Sequence, residues 1–135
     1  MTGASHLAEL EVEGTDVVAV WNALEPVVAQ CAGLLGTSAT KSEYSVGQSE
    51  DLGTVAGADL RDCLDRVDTP ASISVTYTAN GPDPQSIELG IMRYRRFKEL
   101  NVRLCVTGPM GVQTLGLFER TKSTLAQAID RLNEP

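Results

Sequence analysis

A chain of 135 residues sets one domain as the expectation and rules out three. With 42% hydrophobic residues it can build one real core, and with 4% aromatics that core is mostly aliphatic. A net charge of −7 speaks against broad nucleic-acid coating, and a single His with three Cys sets a low ceiling on metal and triad chemistry.

Residues 6–13 alternate, with Ala8, Leu10 and Val12 on one face and Glu9, Glu11 and Glu13 on the other. This predicts a half-buried strand with an acidic outer face. Gly14 ends it, and Thr15 or Asp16 can cap the helix that follows. In that helix Val17, Val20, Trp21, Leu24, Val28, Cys31 and Leu35 recur at three- and four-residue steps. Pro26 falls inside the stripe, so a kink or a junction of two helices is expected near Glu25. Gly33 and Gly36 mark the end.

Residues 37–54 are poor in apolar side chains and rich in Ser, Thr and Gly. They read as a long flexible loop, either a connector or a functional lid, with room for a short strand at Tyr44 to Val46. Residues 55–67 read as a helix with Ala56, Leu60, Cys63, Leu64 and Val67 inward. Asp62 and Arg66 form an i,i+4 pair on its wet face.

Strong strand signals follow. Ile73, Val75 and Tyr77 alternate with Ser74, Thr76 and Thr78, and residues 80–84 form a turn. Ile87, Leu89 and Ile91 form the next strand, with a phase slip expected near Met92. Leu100, Val102, Leu104 and Val106 form another. After the turn at 108–111, residues 112–118 read as a fourth strand of weaker alternation, and 121–133 as a helix with Leu125, Ile129 and Leu132 inward. The expected fold is one α+β domain over 1–135. It has an antiparallel sheet, a four-stranded C-terminal meander plus the N-terminal strand, packed on two to three amphipathic helices including the C-terminal one.

Charge divides along the chain. Residues 1–68 hold three basic and twelve acidic side chains, for −9; residues 69–135 hold eight basic and six acidic, for +2. Five of the eleven basic residues lie within 93–103, as Arg93, Arg95, Arg96, Lys98 and Arg103, with Tyr94 and Phe97 interleaved. Such a cluster suits an acidic partner surface. His6, near a chain end, reads as a solvated or edge residue. Cys31 and Cys63 fall on apolar helical stripes, and Cys105 lies on a polar strand face beside Arg103. No pair of cysteines has zinc-knuckle spacing, and neither a phosphate-binding glycine loop nor a metal-ligand motif is present, so no metal or cofactor is implied. No run of 18 apolar residues occurs, and the first six residues lack the basic and apolar regions of a secretory leader. Reduced thiols in a cytoplasmic setting are therefore expected.

Two functional readings follow. The first is a non-enzymatic adaptor that binds a protein partner or itself through segregated charge, with Arg93, Tyr94, Arg95, Arg96, Phe97, Lys98 and Arg103 as the contact. The second rests on a resemblance. The N-terminal strand, the amphipathic helix containing Val20-Trp21-Asn22-Ala23-Leu24, the later strands and the C-terminal helix resemble the helix-grip proteins of the START and polyketide-cyclase superfamily. That resemblance implies a carrier of a small apolar ligand between sheet and C-terminal helix, with Trp21, Leu104 and Leu125 lining the site. The sequence departs from that fold in two places: at most six strands are read, one too few, and 55–67 reads as helix where strand is required.

Overall fold

The structure, a computed structural model, describes residues 3–14, 16–35, 39–48, 53–67, 69–80, 84–93 and 99–133. Strand β1 (Gly3–Glu13) buries Ala8 and Val12 and turns its glutamates outward. Asp16 caps α1 (Val17–Ala32) by accepting the Ala19 N–H at 3.1 Å. Helix α1 runs unbroken through Pro26 and needs no kink. Pro26 and Asn22 are both exposed, so the carbonyl that loses its helical partner is open to water. A short 3-10 turn, Gly33–Leu35, follows. By length and composition alone Val17–Leu35 could cross a membrane. Here the stripe formed by Val17, Val20, Trp21, Leu24 and Val28 is buried in the core.

The segment expected to be a loop contains strands. These are β2 (Ala39–Lys41), β3 (Tyr44–Gln48) and β4 (Thr54–Gly57). Tyr44 and Val46, where a short strand was expected, turn inward on β3, and β5 supplies the pairing that the polar composition concealed. The helix expected over 55–67 shrinks to α2 (Leu60–Asp65). Asp59 caps it by accepting the Arg61 N–H, while Val55 and Ala56 belong to β4. The Asp62–Arg66 pair is present at 3.2 Å. Strands β5 (Pro70–Ala79), β6 (Gln85–Arg93) and β7 (Glu99–Pro109) complete a sheet of seven, the number the helix-grip resemblance requires. The pairing of β6 is regular through Met92, and the register shift falls instead in β3 between Gly47 and Gln48.

The meander has three strands rather than four. Residues 112–118 are the first turns of α3 (Val112–Asn133). Thr114, Phe118, Thr121, Leu125 and Ile129 are its buried side chains, and their steps of four, three, four and four are helical. Thr121 and Thr124 return their hydroxyls to the carbonyls of Leu117 and Arg120, so two β-branched residues sit in the helix without unpaired groups. Leu132, expected inside, is exposed.

The strand order is β1-β7-β6-β5-β3-β4, all pairs antiparallel, with β2 also on the β3 side of β5. Helix α3 packs on β1 and β7, α1 on β6 and β5, and α2 on β3 and β4. One face of the sheet is thereby covered, and it holds the aliphatic core that includes Ile73, Ile87, Leu89, Leu100 and Leu104.

The start of α3 is set by a close approach. A Cβ added at Gly108 would lie 2.7 Å from Thr114 Oγ1 and 3.0 Å from Gln85 Cγ, and Thr114 Oγ1 itself donates to the Pro109 carbonyl at 2.6 Å. Only a residue without a side chain lets the helix sit this low on β7. Gly108→Ala should therefore cost about 1–3 kcal/mol by overpacking. Urea unfolding checks this, and an unchanged midpoint would contradict it.

Candidate functional site

Two features of the covered face are candidates, one partly buried and one open. The partly buried one is a polar cluster centred on Glu25. Trp21, one turn earlier on α1, donates its indole N–H to Glu25 Oε2 at 2.7 Å. Tyr44 on β3 donates its hydroxyl to Glu25 Oε1 at 2.5 Å. Lys41 on β2 donates to the Tyr44 hydroxyl at 2.6 Å and holds its ammonium 4.6 Å from the centre of the Tyr44 ring. Trp21 and Tyr44 meet edge to face at 6.3 Å. Burial, then the Glu25 carboxylate, pushes the Tyr44 phenol well above its ordinary range. Burial, followed by the Glu25 charge, does the same to Tyr77 on β5.

Both carboxylate oxygens of Glu25 are thus taken up, and Tyr44 is held protonated between a cation and an anion. The cluster fastens α1 to β2 and β3. The sequence reading missed Glu25, Tyr44, Tyr77 and Lys41 as a unit. The available signal was Trp21 and Glu25 at i,i+4 on α1, together with an inward tyrosine on each of two strands.

The open feature is a cleft of about 400 Å³ where α1 ends and α3 begins. Leu34, Val112 and Leu117 form its apolar walls, and Gln85 at the start of β6 lies at its edge. Gln113, Gly116 and Arg120 complete the α3 side. Leu34 is 53% exposed and Val112 86%, so apolar surface stands open to solvent here. Leu117 is partly buried and packs on the main core, which joins the cleft to the interior.

Trp21, Leu104 and Leu125 lie on α1, β7 and α3 in one continuous core, each fully buried. They are the packed interior rather than the walls of the open cleft. Arg93 and Arg103 are exposed, while Tyr94, Arg95, Arg96, Phe97 and Lys98 lie outside the described residues. Arg103 points to the uncovered face of the sheet, in register with Glu9 on one side and Gly90 on the other. A hollow of about 230 Å³ surrounds it, with Ser72, Ser74 and Glu88 among its lining. One acidic side chain of β1, Glu9, and one basic side chain of β7, Arg103, are therefore neighbours across this strand pair. At the far end of the same pair, Glu99 accepts company from Glu11 and Glu13. A hydrogen bond to Glu11, then its charge, holds the Glu99 carboxyl above the usual carboxylate range.

His6 lies on β1 at the edge of the sheet, in keeping with its reading as a solvated or edge residue. It is half-buried, and its ring stacks on Phe118 of α3 with centroids 5.3 Å apart. Cys31 and Cys63 are buried, and Cys105 is partly exposed with its sulfur 3.9 Å from Thr107 Oγ1. Among the described residues, no group of His, Cys, Asp and Glu could hold a metal ion.

The class these observations define is an α+β fold in which a seven-stranded antiparallel sheet is gripped by a long C-terminal helix. No family model matches the sequence, and no curated protein matches it. Among solved structures, the chain is similar to major latex-like protein 151 from Panax ginseng, with a TM-score of 0.45 and 8% identity, covering 98% of this chain and 99% of that one. It is also similar to hypothetical protein jhp0584 from Helicobacter pylori, with a TM-score of 0.46 and 9% identity, covering 97% and 88%. No residue of either is carried over to this chain.

The Glu25 cluster makes a pH-dependent prediction. Tyr44 and Tyr77 ionise later in the folded chain than in the unfolded one. The stability they carry is complete below about pH 10, where unfolded tyrosine begins to ionise, and is lost as the pH rises further. In an ultraviolet titration, neither phenol should contribute tyrosinate signal before alkaline unfolding. Tyr44→Phe and Tyr77→Phe should leave the earlier signal unchanged; a loss of ordinary-range signal in either variant would contradict the assignment.

Proposed function

We propose that the protein is a carrier of a small, mainly apolar ligand, seated in the cleft between the end of α1 and the first turns of α3. The observation that carries the reading is that cleft. Its volume of about 400 Å³ lies within the roughly 300–1,000 Å³ typical of small-molecule sites. Leu34, Val112 and Leu117 offer a ligand aliphatic surface, while Gln85, Gln113 and Arg120 make the larger share of the lining polar and would fix its orientation.

The adaptor reading draws less support. Its motive was segregated charge, and Glu9 lies opposite Arg103 on adjacent strands of the same chain. Native mass spectrometry of freshly purified protein tests the carrier reading. A small-molecule adduct should be present, should be removed by organic extraction, and should raise the melting temperature when returned. A bare chain that also fails to enhance the fluorescence of anilinonaphthalene sulfonate would contradict it.

A further inference from the structure

We infer that the free edge of β1 is a docking surface for an extended basic segment of a protein partner, which adds to the seven-stranded sheet as a further strand with lysine or arginine at alternate positions. The inference stands apart from the carrier reading, since β1 and the cleft share no residue. Three observations lead to it.

The first is the open edge. Strand β1 ends the strand order, with β7 on one side and no described strand on the other. Its 11 residues pair with β7 in unbroken register, with neither a bulge nor a proline. Outside that ladder, and among the described residues, one backbone group of β1 is taken up: the Glu13 N–H donates to Asn133 Oδ1 at 3.1 Å. Every second residue of an edge strand turns its N–H and C=O outward, so β1 offers about five donor–acceptor pairs to an incoming strand. Edges are ordinarily guarded by shortness, bulges, proline or charge. Here the guard is charge, and it is of one sign.

The second is that charge. Glu9, Glu11 and Glu13 stand exposed at every second position on the uncovered face. None of them makes an ion pair among the described residues, not even Glu9 with Arg103 opposite. Glu99 of β7 crowds the same end of the row. Side chains directly opposite on paired strands stand about 4.5–5.5 Å apart, where opposite charges attract and like charges repel. A strand with a cation at every second position answers all three glutamates. A second copy of β1 would bring three more carboxylates to the same edge.

The third is the other face of the strand. There His6 stacks on Phe118, and the Lys122 ammonium lies 5.7 Å from the centre of the same ring. The helix side of the edge therefore carries aromatic and cationic groups, and an incoming lysine is repelled there. The edge accepts basic residues on one face of the added strand and rejects them on the other. It reads alternation rather than net charge.

Fluorescence anisotropy with labelled peptides tests the inference on the full chain. One peptide alternates lysine and threonine over about nine residues, a length that β1 can pair. The other has the same composition with its lysines in one block. The alternating peptide should bind at least tenfold more tightly. N-methylation of its lysine amides or of its threonine amides should abolish binding in one series and spare it in the other, because one set faces β1. Replacing all three glutamates, Glu9→Gln, Glu11→Gln and Glu13→Gln, should cost at least tenfold in affinity without lowering the melting temperature. Equal binding of the two peptides, or equal effects of the two methylation series, would overturn the inference, since the attraction would then be charge without strand pairing. Failure of both peptides to bind would also overturn it. A stable dimer with slowly exchanging β1 amides would overturn it in favour of a second copy on the edge.

Discussion

The organisation of this protein follows from one geometric requirement: a single apolar sheet face must be covered by three helices. Six strands side by side at about 4.8 Å spacing are roughly as wide as three helices of about 10 Å each. The order β1-β7-β6-β5-β3-β4 accordingly pairs off beneath α3, α1 and α2. Width is matched, and length is not. Helix α1 has 16 residues, about 24 Å, while β5 and β6, with 10 and 9 residues, run for about 30 Å. The turn after α1, the start of β6 and the first turns of α3 meet at the cleft beside Gln85.

The helices that border this gap are fastened by different means. On α1, Glu25 binds Trp21 of its own helix and Tyr44 of β3, with Lys41 behind Tyr44. On α3, a glycine on β7 admits Thr114 at one end, His6 stacks on Phe118 beyond it, and Asn133 accepts the Glu13 N–H at the other end. These contacts fix both rims without filling the space between Leu34 and the first turns of α3. A site on such rims is positioned by regular elements, which favours a preformed seat over one assembled on binding.

Legibility in the sequence tracked how far each residue's role was local. The alternation of β1, β5, β6 and β7 and the stripe of α1 were readable, because one face of each element carries nearly all the burial. Asp16 and the Asp62–Arg66 pair were readable for the same reason. The errors occurred where tertiary pairing outweighed local composition. The Ser- and Gly-rich stretch became strands because β5 had an open edge to offer. Val112 to Phe118 became helix because Thr114 and Phe118 continue the stripe of Leu125 and Ile129, a period that its β-branched residues disguised. The cleft was invisible for a related reason. It is lined by the ends of three elements, and no motif links Leu34, Gln85 and Arg120 along the chain.

The functional account therefore depends on where a ligand sits. Amide chemical-shift mapping by NMR, with decanoate added in steps, addresses this most directly. The account predicts that the largest shifts occur at Leu34, across Val112 to Leu117 and at Arg120, with the uncovered sheet face around Gly90 and Arg103 undisturbed. Shifts concentrated on that outer face, or none on the first turns of α3, would contradict it.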